Sequence, residues 1–365
     1  MDKKLFSKIK NRLHLYNIIS VKKYFVKEVV KQVVEYVDNA NQILIIGHEN
    51  PDGDAVGSVL GLYQVLNRMG KKVLPVFPND APEFLKWLPN YNLALLYNRE
   101  KQNVEDAFSN ADVIFCLDFN ERKRVGKMEQ VLATNNAIKI LIDHHPYPDA
   151  FFDVLISEQE VSSTAELVYT VVNECGWDNY LLKPAAECLL TGIMTDTISF
   201  TVNASRARTF EVAALLLKFG IDKDMIHRRV FNSFTQQRMR MLGYSLHKKM
   251  KILHEYATGY IYLTKDELKE FCFQKGDSEG FVNYPLSIKG VRFAALFLER
   301  EGYIKISFRS VGSIPVNEIM AKHFTGGGHR NAAGGDEKNL SLDKCITKFE
   351  SILPLYKDIL LHEED

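Results

Sequence analysis

Four separate stretches of the chain carry residue types that bind divalent metals: His48-Glu49-Asn50-Pro51-Asp52-Gly53-Asp54, Asp118, Asp143-His144-His145, and Gly192-Ile193-Met194-Thr195-Asp196. Carboxylates with a few imidazoles and no thiolate favour manganese or magnesium over structural zinc. The donors outnumber what one closed site needs. Two ions sharing a bridging carboxylate would use them, at the ~3.5–4 Å spacing of two-metal sites. Such a pair clamps the attacking and leaving oxygens of a phosphoryl displacement and supplies hydroxide at neutral pH. Each stretch alone has an ordinary explanation. A lone Asp at a strand end caps a helix or a turn, Asp52-Gly53-Asp54 reads as a tight turn, and an isolated His-His pair is more often structural. The argument for chemistry is their convergence on one edge.

A second group is Gly326-Gly327-Gly328-His329-Arg330-Asn331-Ala332-Ala333-Gly334-Gly335, read as a loop. Backbone this bare lets amide N–H groups approach a phosphate closely. His329 and Arg330 add charge, and Arg309, at the end of the preceding strand, is another candidate phosphate contact. The plain alternative is a flexible linker.

The elements that must position these residues follow from periodicity. Short apolar runs at Ile43–Ile46, Lys72–Phe77, Val113–Leu117 and Ile138–Ile142 read as buried parallel strands. Helices are predicted at Ala55–Met69, ended by Gly70, and at Ser163–Cys175, Pro184–Thr195 and Arg206–Phe219. Alternating strands and helices imply an α/β fold with a mainly parallel sheet flanked by helices. Ligands of such a sheet bind beyond the carboxyl ends of its strands, where Asp52, Asp118 and His144 fall. Strands at Thr258–Leu263, Val291–Glu299 and Tyr303–Ser310, with helices at Pro315–Phe324 and Leu342–Leu361, make a smaller C-terminal α/β or α+β domain. The expected divisions are a basic helical extension over 1–40 (Leu5, Ile9, Leu13 and Tyr16 at near-helical spacing), a metal-binding domain over 41–220, a helical connector over 221–250 and a substrate domain over 251–365.

The 365 residues are 46% hydrophobic and 25% charged, which excludes a disordered chain, a collagen-like repeat and a coiled-coil rod. The formal net charge of zero hides a split: residues 41–200 sum to −10 and residues 201–335 to +9. The five cysteines form no CxxC pair, so neither a disulfide framework nor a zinc ribbon is indicated. Buried reduced thiols suit a cytoplasmic protein. No long uncharged apolar run suggests a membrane span, and no secretory signal is expected.

The motifs, in this order, resemble the DHH superfamily of phosphoesterases. The matching residues are His48 to Ala55, Asp118, Asp143-His144-His145 and Asp196, while Arg309-Ser310 and Gly326 to Gly334 resemble the DHH-associated substrate-binding domain. The length and two domains are similar to those of the bifunctional oligoribonuclease and pAp phosphatase group. The resemblance implies one ion on His48, Asp52 and Asp118, and a second on Asp54, Asp118, His144 and Asp196. It implies that Asp143 orients the adjacent histidine and that His145 orients the scissile phosphate or transfers a proton there. Manganese is the implied ion, with magnesium the alternative. Arg309, His329 and the Gly326-Gly327-Gly328 segment would grip a substrate phosphate, with Asn283 and Arg122 as weaker candidates. The implied activity is hydrolysis of short single-stranded RNA or small nucleotides to mononucleotides, together with pAp dephosphorylation, in a protein without a membrane partner; the sequence does not give the oligomeric state, with a homodimer the candidate. A phosphodiesterase for linear dinucleotides and a silent nucleotide- or RNA-binding module are the alternatives.

Overall fold

The computed structural model describes residues 27–362. The helical expectation on Leu5, Ile9, Leu13 and Tyr16 lies outside them. The chain divides into two units, Met1–His227 and Arg228–Asp365.

The first unit is built on a six-stranded parallel sheet. Its strands are β1 (Ile43–Ile46), β2 (Val73–Phe77), β3 (Leu95–Leu96), β4 (Val113–Leu117), β5 (Ile138–Asp143) and β6 (Val154–Ser157), in the order β3-β2-β1-β4-β5-β6. β1 and β4 are buried along their whole length, as continuous apolar runs of central parallel strands should be. The order reverses between β1 and β4, which creates the crevice where ligands of open α/β sheets bind. Helices α1 (Lys27–Asn39), α2 (Gly53–Arg68), α3 (Lys101–Ser109), α4 (Glu129–Thr134), α5 (Thr164–Glu174), α6 (Lys183–Asp196) and α7 (Ala207–Leu217) accompany the sheet. α2 starts at Asp52, whose carboxylate accepts from the amides of Asp54 and Ala55, and stops before Gly70 at φ 82. β3 and β6 are strands the periodicity does not show. β3 has two residues, and β6 places Leu155 outward at the sheet edge.

α8 (Lys223–Phe231) carries the division between the units, and α9 (Gln236–Tyr244) follows it. The second unit holds a mixed sheet of β7 (Met250–Leu253), β8 (Thr258–Leu263), β9 (Phe293–Arg300), β10 (Tyr303–Ser310), β11 (Thr325–His329) and β12 (Ala332–Glu337). Its order is β11-β12-β10-β9-β8-β7, antiparallel except for β8 beside β9. α10 (Lys265–Glu270), α11 (Val316–His323), α12 (Leu342–Ile352) and α13 (Lys357–Leu361) complete it. Phe349 of α12 anchors one face, packed on Phe293, Phe297 and Phe308.

Two expectations are corrected here. The helix predicted over Leu342–Leu361 breaks after Ile352 into a 3-10 turn, because Pro354 cannot donate to the helical ladder. The glycine-rich stretch is no loop but the β11–β12 hairpin, with Gly326 opposite Gly335 and Gly328 opposite Ala333. A Cβ on Gly326 would sit 2.2 Å from the Gly334 carbonyl oxygen, and one on Gly328 would sit 2.4 Å from that of Ala332. The glycines let two backbones approach closely.

Candidate metal centre

The three central strands of the first unit each deliver donors past their carboxyl ends. His48 and Asp52 follow β1, Asp118 follows β4, and Asp143 closes β5 ahead of His144 and His145. Asp54 sits in the first turn of α2 and Asp196 ends α6. All eight of these predicted residues lie in this unit, and the donor atoms of seven form overlapping groups: His48, Asp52 and Asp118; Asp54, Asp118 and His144; Asp118, Asp143 and His145; Asp196 adjoins the second through His144.

In the first group, His48 Nδ1 faces its neighbour's carbonyl, Glu49 O, at 2.9 Å. A carbonyl only accepts, so Nδ1 carries the proton and the neutral ring presents its Nε2 lone pair. That Nε2 is buried with no hydrogen-bond partner, 3.8 Å from Asp52 Oδ2 and 3.6 Å from Asp118 Oδ2. A lone pair and two carboxylate oxygens around one point require a cation. Without a metal, a proton serves. Burial works against it, but Asp118 and Asp52 outweigh burial and hold the imidazole up at about 10.

In the second group, His144 Nε2 lies 3.7 Å from Asp118 Oδ1, 4.0 Å from Asp54 Oδ2 and 3.6 Å from Asp196 Oδ2. Donors about 2.1 Å from a shared ion and about 90–120° apart stand about 3.0–3.6 Å from one another. Both groups therefore match an ion after a small contraction. Asp118 gives Oδ2 to the first and Oδ1 to the second, the geometry of a bridging carboxylate. Its backbone is left-handed (φ 64), a sparsely populated conformation that concentrates where a side chain must be aimed. Burial first, then Asp118 and Asp196, raise Asp54 well above the carboxylate range. Burial opposes but Asp196 and Asp118 raise His144. Asp196 also stands at a helix C-terminus, where the dipole disfavours an anion and a cation relieves it.

Two family profiles match this chain: the DHH family, N-terminal domain, over residues 42–193, and the DHHA1 domain over residues 257–357. A solved structure, an exopolyphosphatase-related protein from Bacteroides fragilis, is 42% identical with a TM-score of 0.90, covering 94% of this chain and 100% of that one. The chain belongs to the DHH family. DHH relatives include the bifunctional oligoribonuclease and PAP phosphatase NrnA of Thermus thermophilus, 29% identical over 334 residues, 91% of this chain and 93% of that protein. The protein of the same name from Bacillus subtilis is 26% identical over 306 residues, 83% of this chain and 91% of that one.

Within the DHH domain, Asp143 Oδ1 pairs with His145 Nδ1 at 2.7 Å, and its charge also acts on the adjacent His144. Asp143 accepts, so Nε2 of His145 is left as an acceptor, and burial pushes that ring down to about 3, keeping it neutral. Arg122 donates from Nε to Asp149 Oδ2 at 3.1 Å and lies over Phe151.

Sequence reasoning missed two participants. Thr164 donates from Oγ1 to Asp118 Oδ1 at 3.0 Å, and the amides of Thr164 and Ala165 donate to the two oxygens of Asp54 at 2.6 and 2.9 Å. The N-terminus of α5 thus fixes both carboxylates. Ser163 followed by Glu166 does signal a helix cap, but not what the cap faces. The other is exposed Arg124, whose charge acts on His48, Asp52 and His145.

In the DHHA1 domain, Arg309 is next to last in β10 with Nη1 donating to Phe308 O, and His329 ends β11. Arg330 spends its guanidinium on Ser313 O, with Nη2 at 2.8 Å, and so braces the hairpin. Asn283 sits in the 3-10 segment Phe281–Ser287.

Proposed function

We propose that this DHH protein is a manganese-dependent phosphoesterase that hydrolyses oligoribonucleotides of about two to five residues to mononucleotides, and also 3′-phosphoadenosine 5′-phosphate. The observation that carries the reading is Asp118, with one oxygen at each of two histidine-carboxylate groups. His48, Asp52 and Asp118 would hold one ion, and Asp54, Asp118, His144 and Asp196 the other. When bound, the pair supplies Lewis acidity and hydroxide near neutral pH. The chain's own residues do the rest. Thr164 and the α5 amides keep Asp118 and Asp54 in place. His145, held by Asp143, offers Nε2 to a water or hydroxyl at the reacting phosphate. The β11–β12 hairpin, Arg309 and His329 grip a substrate phosphate. The relatives named as oligoribonuclease and PAP phosphatase support this choice among phosphoesters, and the exopolyphosphatase-related protein supplies the competitor.

The test is a rate panel with manganese-loaded protein over 2–20-mer RNA, pAp, linear dinucleotides and inorganic polyphosphate. Fastest turnover is expected on 2–5-mers. Asp118→Ala should reduce it by about three orders of magnitude, the scale of several kcal/mol of metal stabilisation. Intact short RNA beside degraded polyphosphate would refute the reading, and a fully active Asp118→Ala would refute the shared ligand.

A further inference from the structure

An open groove of about 340 Å³ in the first unit is lined by Glu121, Arg122, Lys123, Glu129, Tyr147 and Asp149. Its walls continue two ligand-bearing segments: one runs on from Asp118, the other from His145. The walls are braced together. Asn120 Nδ2 donates to Pro146 O at 2.6 Å, the Asp149 amide donates to Asn120 O at 2.8 Å, and Arg122 joins Asp149. Phe151, under the Arg122 guanidinium at 4.8 Å, packs edge-on against Phe152 at 5.5 Å.

Tyr147 stands apart from this bracing. It is 83% exposed, the most exposed of the large hydrophobic side chains described, and its backbone is left-handed at φ 58. A bulky residue rarely adopts that conformation, and such outliers cluster where a side chain must be presented. The ring adds little to the core, so packing does not explain it. An exposed aromatic face two residues along the chain from His145 is a part that binds single-stranded nucleotides, a stacking platform for the base; the two cations of the groove are already paired, Lys123 with Glu121 and Arg122 with Asp149.

We infer that Tyr147 stacks on the nucleobase beside the scissile phosphate and that this groove seats that nucleoside. The inference rests on the nucleotide phosphoesterase reading, with the substrate end specified. Stacking on a π-face tolerates any base, so the groove selects for a nucleoside rather than for a sequence.

The experiment compares full-length, manganese-loaded wild type, Tyr147→Ala and Tyr147→Phe on a diribonucleotide and on two analogues, each lacking one base. Tyr147→Ala should raise KM for the diribonucleotide about tenfold, with kcat and metal content unchanged. On one abasic analogue it should match wild type, which identifies the stacked base. Tyr147→Phe should behave as wild type, because the ring suffices. Unchanged KM in Tyr147→Ala overturns the inference. So does an equal loss on both abasic analogues, or a Phe variant as impaired as the Ala variant. If wild type cleaves polyphosphate but no oligonucleotide, the functional reading fails on its own. Adenosine monophosphate binding to the metal-loaded protein then decides the groove: about tenfold weaker binding in Tyr147→Ala supports it, and equal binding overturns it.

Discussion

Asp118 is the residue on which the site turns, because its two oxygens stand 3.6 Å from His48 Nε2 and 3.7 Å from His144 Nε2. Its negative charge has a consequence for protons. In the metal-free fold the His48 imidazole titrates at about 10, against about 6.5 in an unfolded chain. The proton's stabilising contribution is therefore complete below about pH 6.5 and is lost as pH rises through about 10. An arriving ion must displace that proton, so metal uptake releases protons and tightens as pH rises from 7 towards 10. Calorimetric titration of stripped protein with Mn²⁺ at pH 7, in buffers of different ionisation enthalpy, should show at least about one proton released. Zero release would place the ions elsewhere.

At the scale of elements, the crossing of α2 and α6 sets the distance between Asp54 and Asp196. Glycine makes that crossing close: a Cβ on Gly57 would lie 2.5 Å from Cys188 O and 2.9 Å from the Gly192 nitrogen. Gly57→Ala should cost about 1–3 kcal/mol through overpacking and weaken Mn²⁺ binding by separating the helices. Thermal unfolding and metal titration check both effects, and unchanged metal affinity would detach the crossing from the site. The donors were legible in the sequence because strand ends advertise themselves: a buried apolar run followed by Asp or His needs no partner to be recognised. Thr164 was not legible, since its role arises only when α5 points its N-terminus at Asp54 and Asp118. Nor was the hairpin, because glycine reads as flexibility until the opposing backbone is known. The Asp143–His145 pair skips one residue, a contact that only the fold shows. β3 and β6 are too short and too exposed at the edges to imprint a period.

For the whole molecule, the neutral charge is a sum of opposites: +5 over residues 1–40, −10 over 41–200, where the candidate metal donors lie, +9 over 201–335, which includes Arg309, His329 and Arg330, and −4 over 336–365. On the proposed function, metal binding and phosphate binding would fall to different stretches. His329→Ala should raise KM about tenfold or more, the scale of a hydrogen bond to a charged group, and leave metal content intact. Loss of metal in that variant, read by elemental analysis, would contradict this allotment. The sheet order adds a kinetic consequence. β1 pairs with β4 across the switch point, and the donors run from His48 to Asp196, so most of the first unit must be assembled before both ions could find their full set of ligands. Contacts of such long sequence separation form late, and ligands that bind only the native state act on the exit from it. The ions would then serve as a latch on a finished domain: they retard its opening without hastening its formation, and chelation would shorten the lifetime of the native state rather than obstruct the route to it.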